Sequence, residues 1–240
     1  MVRPVVIRLP NSQAVAEQVA SDLFTFVSDA LSSQTRVDIA LTGGTVGIAS
    51  LSAASSQPFN ELDLSRLHIW WGDERFVPSQ SLDRNSRQAE NAWLRKLNIP
   101  PENVHEFPSS DFELSLKVAE SSFNEYFQST GIHFDLMLMG VGPDGHIASL
   151  FPGKDNLTSD ASIISEDASP KAPSQRLTFS YEEINRSAQI WFTVAGQDKA
   201  EAVASAFGDN PESLPVGRVR GREKTVWYVD QTAGTLVWGC

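Results

Sequence analysis

Within residues 134–153, FDLMLMGVGPDGHIASLFPG, an acid and a base stand two residues apart: Asp144 and His146. A neutral imidazole accepts a proton near neutral pH, which suits general-base chemistry. Gly140, Gly142 and Gly145 surround the pair, and Pro143 fixes one more backbone angle, so the segment reads as a tight loop. The wholly apolar run 136–139 before it predicts a strand buried on both faces. A loop at the carboxyl end of such a strand is where open α/β sheets place ligands. Ile147, Ala148, Leu150 and Phe151 follow and would anchor the loop.

Four further segments carry chemistry. Residues 41–47, LTGGTVG, predict a strand end, a turn at Gly43 and Gly44, and a helix starting near Thr45. Free N–H groups and the dipole at a helix N-terminus bind anions, and Thr42 and Thr45 add hydroxyls. An ordinary βα turn capped by Thr45 fits the same residues. Neither a Walker A loop nor a dinucleotide fingerprint is present. Residues 71–78, WGDERFVP, put Asp73, Glu74 and Arg75 at a strand end, where buried charge must be paired or used. Arg75 offers a planar fork suited to phosphate or carboxylate, Glu74 reads as a structural ion-pair partner, and Asn85 reads as a helix cap.

In SPKAPSQRLT, residues 169–178, two prolines hold an extended loop; Lys171 could face an anion, and Arg176 is assigned to solvent. In AGQDKA, residues 195–200, Lys199 falls in the first turn of a helix, where a cation opposes the dipole; pairing with a phosphate would explain it, and a solvated surface lysine fits the same residues. His68, His105 and His133 have no ligand spacing with His146, and HExxH and CxxC are absent, so no metal is expected. Ser149 lies outside any G-x-S-x-G elbow, which argues against a serine nucleophile.

Strand-like runs at 5–9, 37–41, 67–71, 136–139, 177–179, 190–194 and 225–229 alternate with helix-like stretches at 11–31, 46–54, 86–97, 112–128 and 198–207. That alternation predicts an α/β fold: a mostly parallel sheet with helices on both faces, spanning residues 1–240 as a single domain. Its ligand edge would carry the three loops LTGGT, WGDER and GVGPDGH. The chain has 19 Lys and Arg against 30 Asp and Glu, a net charge of −11. Nucleic-acid and anionic-membrane partners are therefore not expected, and an anionic substrate needs a local positive site. Cys240 is the only cysteine, which fits a reducing cytoplasm. The first ten residues read as a strand rather than a signal peptide, and no run approaches the roughly 20 apolar residues of a membrane span. A monomer is expected.

Together GVGPDGHIASLFPG, WGDERFVP, the Gly43–Gly44 turn, SPKAPSQRLT and AGQDKA resemble the 6-phosphogluconolactonase family, with weaker matches at PVGRV and WYVDQTAG. The resemblance implies a modified Rossmann-like sheet, shared with glucosamine-6-phosphate deaminases and ribose-5-phosphate isomerases. It implies a phosphorylated sugar lactone as partner: 6-phospho-D-glucono-1,5-lactone, hydrolysed without a cofactor in the pentose phosphate pathway. By the same resemblance the phosphate would sit on Gly43, Gly44 and Thr45, with charge from Arg75 and Lys199, and His146 would take a proton from the attacking water. Asp144 or Asp73 would orient the imidazole, and the glycine-loop N–H groups or Lys171 would stabilise the oxyanion.

Two positions depart from the family pattern: Thr45-Val46-Gly47 replaces Ser-Thr-Pro, and Arg84 stands where a small hydroxyl is usual. Amino-sugar-phosphate deaminases carry Asn-Glu-Pro where this chain has Leu150-Phe151-Pro152, which favours lactone hydrolysis over deamination. A non-catalytic sugar-phosphate sensor would need the phosphate turn but neither Asp144 nor His146.

Overall fold

The structure, a computed structural model, describes residues 3–111, 114–154 and 161–238. Its centre is a six-stranded sheet in the order β1 (Val5–Leu9), β9 (Lys224–Asp230), β8 (Gln189–Val194), β5 (Leu136–Gly140), β2 (Val37–Leu41), β3 (Leu67–Trp71). Every pairing in it is parallel. All five residues of β2 and the first four of β5 are buried between layers of helices, and Asp38, the one charged residue among them, is bonded to Arg36 and Trp70. Parallel strands end on one side, so the loops after β2, β3, β5, β8 and β9 share one edge.

Helix α1 (Ser12–Ser33) starts where the Asn11 side chain accepts from Ala14 N at 3.0 Å. Val15, Val19, Leu23 and Val27, four residues apart, form its buried face. Helix α2 (Gly44–Ala54) begins at the end of β2 with Gly43 as cap, so no side chain covers its first turn. Helix α3 (Asn85–Ala92) is shorter than the sequence suggests. It stops because Trp93 leaves the helical path (φ −145°) to pack its fully buried ring edge-on against Phe59, at 4.9 Å. Helix α4 (Leu116–Thr130) starts at the Ser115 cap; the predicted start at Phe112 lies outside the described residues. Three short helices complete the set, α5 (Tyr181–Asn185), α6 (Ala200–Ala206) and α7 (Thr235–Trp238).

A second, antiparallel sheet corrects the expectation that residues 177–179 join the main one. It has the order β4 (Asp73–Arg75), β7 (Arg176–Phe179), β6 (Ile163–Glu166). Gly72 joins the two sheets: its N–H donates to Leu41 O of β2 at 2.9 Å, and its C=O accepts from Phe179 N of β7 at 3.1 Å. The small sheet thereby stands beside the ligand edge of the large one.

Candidate active site

A cavity of about 560 Å³ lies at that edge. The predicted residues His146, Asp73, Gly43, Gly44, Thr45, Arg75, Lys171 and Lys199 all line it, together with Asn85 and Arg176. Its walls come from the loops after β2, β5 and β8 and from the small sheet.

The loop after β5 closes on itself, with Gly142 N donating to His146 O at 2.8 Å and Gly145 N to Gly142 O at 3.0 Å. This folds the His146 ring onto Asp144, with Nδ1 2.5 Å from Asp144 Oδ1. With Asp144 ionised, the neutral ring carries its proton on Nδ1 and keeps its lone pair on Nε2. The ring also rests on Phe151, centroids 4.7 Å apart. Burial pushes the His146 pKa below the ordinary histidine value, against the raising effect of Asp144. Burial is the strongest single influence on the Asp144 carboxyl and acts to raise it, but its hydrogen bonds and the charge of His146 together outweigh burial and hold it low. Ala148, also on the cavity wall, has φ +47°, a left-handed angle that costs a non-glycine residue about 1–2 kcal/mol.

Asp73 is held by other partners. Its Oδ2 accepts from Ser149 Oγ at 2.6 Å, its Oδ1 from Asn85 Nδ2 at 3.2 Å, and Arg176 Nη1 lies 3.9 Å from Oδ2. Between the two acids left open by the sequence, Asp144 is the one that binds the imidazole. Ser149 is fully buried and spends its hydroxyl on Asp73.

Two expectations are corrected here. Asn85 is not the cap of α3. Arg84 occupies the cap position, and the buried carboxylate of Glu74 accepts the Asn85 and Ser86 N–H groups at 2.6 and 2.9 Å. With the helix start satisfied by Glu74, the Asn85 amide is free to donate to Asp73 while its Oδ1 lies against the glycine turn. A Cβ on Gly43 would sit 2.0 Å from Asn85 Oδ1, so only glycine allows this approach. Arg176 is not at the solvent: it is 6% exposed, and it donates to Pro173 O and Lys171 O at 3.1 and 3.0 Å. A sequence signal for it existed, since R-L-T-F alternates and so sets Arg176 and Thr178 on one strand face.

Arg84 is buried behind the site rather than in it. It donates to Phe107 O at 2.6 Å and lies 3.7 Å from Glu74. On the opposite wall Lys199 Nζ meets Asp198 at 2.8 Å. Burial and the nearby Lys199 cation both lower the Lys171 pKa, as expected of two lysines sharing one wall. Buried Asp230 fixes this wall by accepting Gly196 N at 3.1 Å and Ala233 N at 2.8 Å. Thr42 Oγ1 accepts Gly140 N at 3.2 Å and ties the glycine turn to the β5 loop. Among the described residues, no group of three or more His, Cys, Asp or Glu side chains could hold a metal ion, and no helix is long and apolar enough to cross a membrane.

Residues 10–227 match the family described as glucosamine-6-phosphate isomerases/6-phosphogluconolactonase. The chain is 34% identical over 239 residues to the 6-phosphogluconolactonase of Mycobacterium leprae (strain TN), covering 95% of this chain and 96% of that one. It is 36% identical over 234 residues to the 6-phosphogluconolactonase of Mycobacterium tuberculosis (strain ATCC 25618 / H37Rv), covering 93% and 94%. The crystal structure of 6-phosphogluconolactonase from Thermotoga maritima superposes with a TM-score of 0.85 at 28% identity, over 95% of this chain and all of that one.

Proposed function

The chain belongs to the glucosamine-6-phosphate isomerase/6-phosphogluconolactonase family, and from that premise we propose that it hydrolyses 6-phospho-D-glucono-1,5-lactone to 6-phospho-D-gluconate, a step of the pentose phosphate pathway. The observation that carries the mechanism is the Asp144–His146 contact, which leaves Nε2 as the basic nitrogen of a residue on the cavity wall.

The phosphate binds at the uncapped start of α2, on Gly43, Gly44 and Thr45, with Lys171 and Lys199 supplying charge that the acidic chain as a whole does not. Water then attacks C1 as Nε2 removes its proton, and the carbonyl electron pair moves onto oxygen. On collapse the C1–O5 bond breaks and the imidazolium returns the proton to O5. The acid formed loses its proton to solvent. A general base contributes about 10²–10⁴-fold, and a lactone needs no stronger activation. Asp73, held by Ser149 and Asn85, accepts from a sugar hydroxyl.

Deamination of an amino-sugar phosphate is disfavoured by Leu150 and Phe151. Both are buried apolar residues, and Phe151 lies against the His146 ring where that chemistry would call for an acid. Since one chain supplies every group named, it is proposed to act as a monomer. The test is a coupled assay with the lactone generated enzymatically in situ. Hydrolysis well above the spontaneous background is expected; a rate equal to background, or ammonia release from glucosamine 6-phosphate, would overturn the reading.

A further inference from the structure

The small sheet sets two arginines directly opposite each other. Arg75 of β4 pairs with Arg176 of β7, next to the Glu74–Leu177 and Asp73–Thr178 pairs. Side chains alternate along a strand, and directly paired residues share a face. One face of this sheet therefore presents Asp73, Arg75, Arg176 and Thr178, and the first three line the cavity. Glu74 and Leu177 take the other face and are buried.

Like charges directly opposite across a ladder destabilise it. The neighbouring charges do not cancel this pair. Asp73 is the acid on the same strand face and lies 3.9 Å from Arg176. Glu166, opposite Arg176 on β6, is paired with Lys154 at 3.1 Å, and Glu74 lies beside Arg84. Arg75 spends Nη1 on Asp83 O at 2.5 Å, while its Nε is buried with no hydrogen-bond partner. Two buried or half-buried guanidinium groups with one carboxylate on their strand face, which lies near Arg176, leave a positive charge facing the cavity. An anion between them would relieve the repulsion and satisfy the unpaired donor.

We propose that Arg75 and Arg176 form a clamp for the negative charge at C1: the oxyanion of the addition step, and then the carboxylate of the product. This rests on the lactonase reading above, and it moves Arg75 from the phosphate end, where the family resemblance puts it, to the reacting end. The placement agrees with the surroundings of the imidazole. Besides Asp144, the charges acting on His146 are Lys171 and Asp73, and Asp73 is the neighbour of Arg176. Lys199 then remains for the phosphate, with Lys171 between it and the imidazole. The clamp donates from side chains already fixed by Pro173, Lys171 and Asp83 carbonyls, so little reorganises as charge develops.

The test compares two ligands that share the phosphate and differ at C1: 6-phosphogluconate, which has the carboxylate, and glucitol 6-phosphate, which has an alcohol. Calorimetric titrations would use the wild type, Arg176→Met and Arg75→Met. The wild type should prefer 6-phosphogluconate. Each variant should lose about 10²-fold in affinity for it, with glucitol 6-phosphate bound within a few-fold of wild type. Retained glucitol 6-phosphate binding also reports an intact fold. If Arg176→Met binds neither ligand because its loop carbonyls lose their donor, Arg75→Met, which leaves those bonds in place, decides. Equal losses for both ligands, or undiminished preference for the carboxylate, would overturn the clamp. A wild type that does not hydrolyse the lactone would instead overturn the lactonase reading, and the ligand comparison separates the two failures. In the active enzyme, kcat of either variant should fall by about 10²–10³-fold.

Discussion

Nδ1 of His146 lies 2.5 Å from Oδ1 of Asp144, and the contact depends on the missing side chain at Gly142, where a Cβ would sit 2.0 Å from that nitrogen. The carboxylate fixes the tautomer and direction of the ring, and the glycine makes room for it. Asp73, which lines the cavity, is held by Ser149 and Asn85 instead.

Replacing the base should separate chemistry from binding. His146→Asn is expected to fold, to bind 6-phosphogluconate as before, and to lose about 10²-fold or more in kcat. A variant with near-wild-type kcat would remove His146 from the mechanism and make Asp73 the next candidate.

The pH dependence follows from the direction of the His146 shift. The base works only when neutral, and burial lowers its pKa below the ordinary value of 6.5. In the free enzyme, reported by kcat/KM, activity should therefore hold through neutral pH and fall only below about 6.5. Asp144 raises that pKa, so Asp144→Asn should move the acid limb to still lower pH while reducing kcat through loss of tautomer control. An acid limb that moves upward in Asp144→Asn would contradict the arrangement.

Gly142→Ala probes position without removing any charged group. The added methyl would have to displace the imidazole or the Asp144 carboxylate, 2.7 Å from the same point. Misplacing a reacting group by about 1 Å can cost about 10²-fold, so kcat should drop by that order with KM little changed. Steady-state kinetics that show the reverse, a raised KM at intact kcat, would place Gly142 in binding instead.

A second histidine pair governs acid stability. His105 Nε2 lies 2.9 Å from His68 Nδ1, its Nδ1 lies 2.5 Å from Tyr126 OH, and its ring stacks on Trp70 at 3.9 Å. Burial, then the nearby His68, lowers its pKa to about 4. The unfolded chain, with a pKa near 6.5, binds the proton more readily. Stability from this group is thus complete above pH 6.5 and is lost as pH falls from 6.5 towards 4. In a thermal-melt series across that window, His105→Gln should show a shallower fall in Tm than the wild type. Parallel curves would exclude the effect.

The large sheet is legible in the chain because its inner strands are continuous apolar runs. Val37–Leu41, apolar but for Asp38, and the apolar start of β5 are buried on both sides and lead into glycines, where a parallel strand must turn into a loop. The glycine turn, the Asp144–His146 loop and Lys199 were legible for the same reason: each directly follows such a strand. Of the small sheet, only the strand at 177–179 was legible, and not its place in a separate sheet. Its strand β4 is Asp-Glu-Arg, which carries no apolar period, and it is a strand only because Arg176–Phe179, about a hundred residues later, pairs with it. The burial of Arg176 depends on that meeting of distant segments, and the bond from Ser149 that occupies Asp73 likewise joins residues far apart in the chain. Local propensity acts over a few residues, whereas hydrogen bonds between remote side chains exist only once the chain has closed.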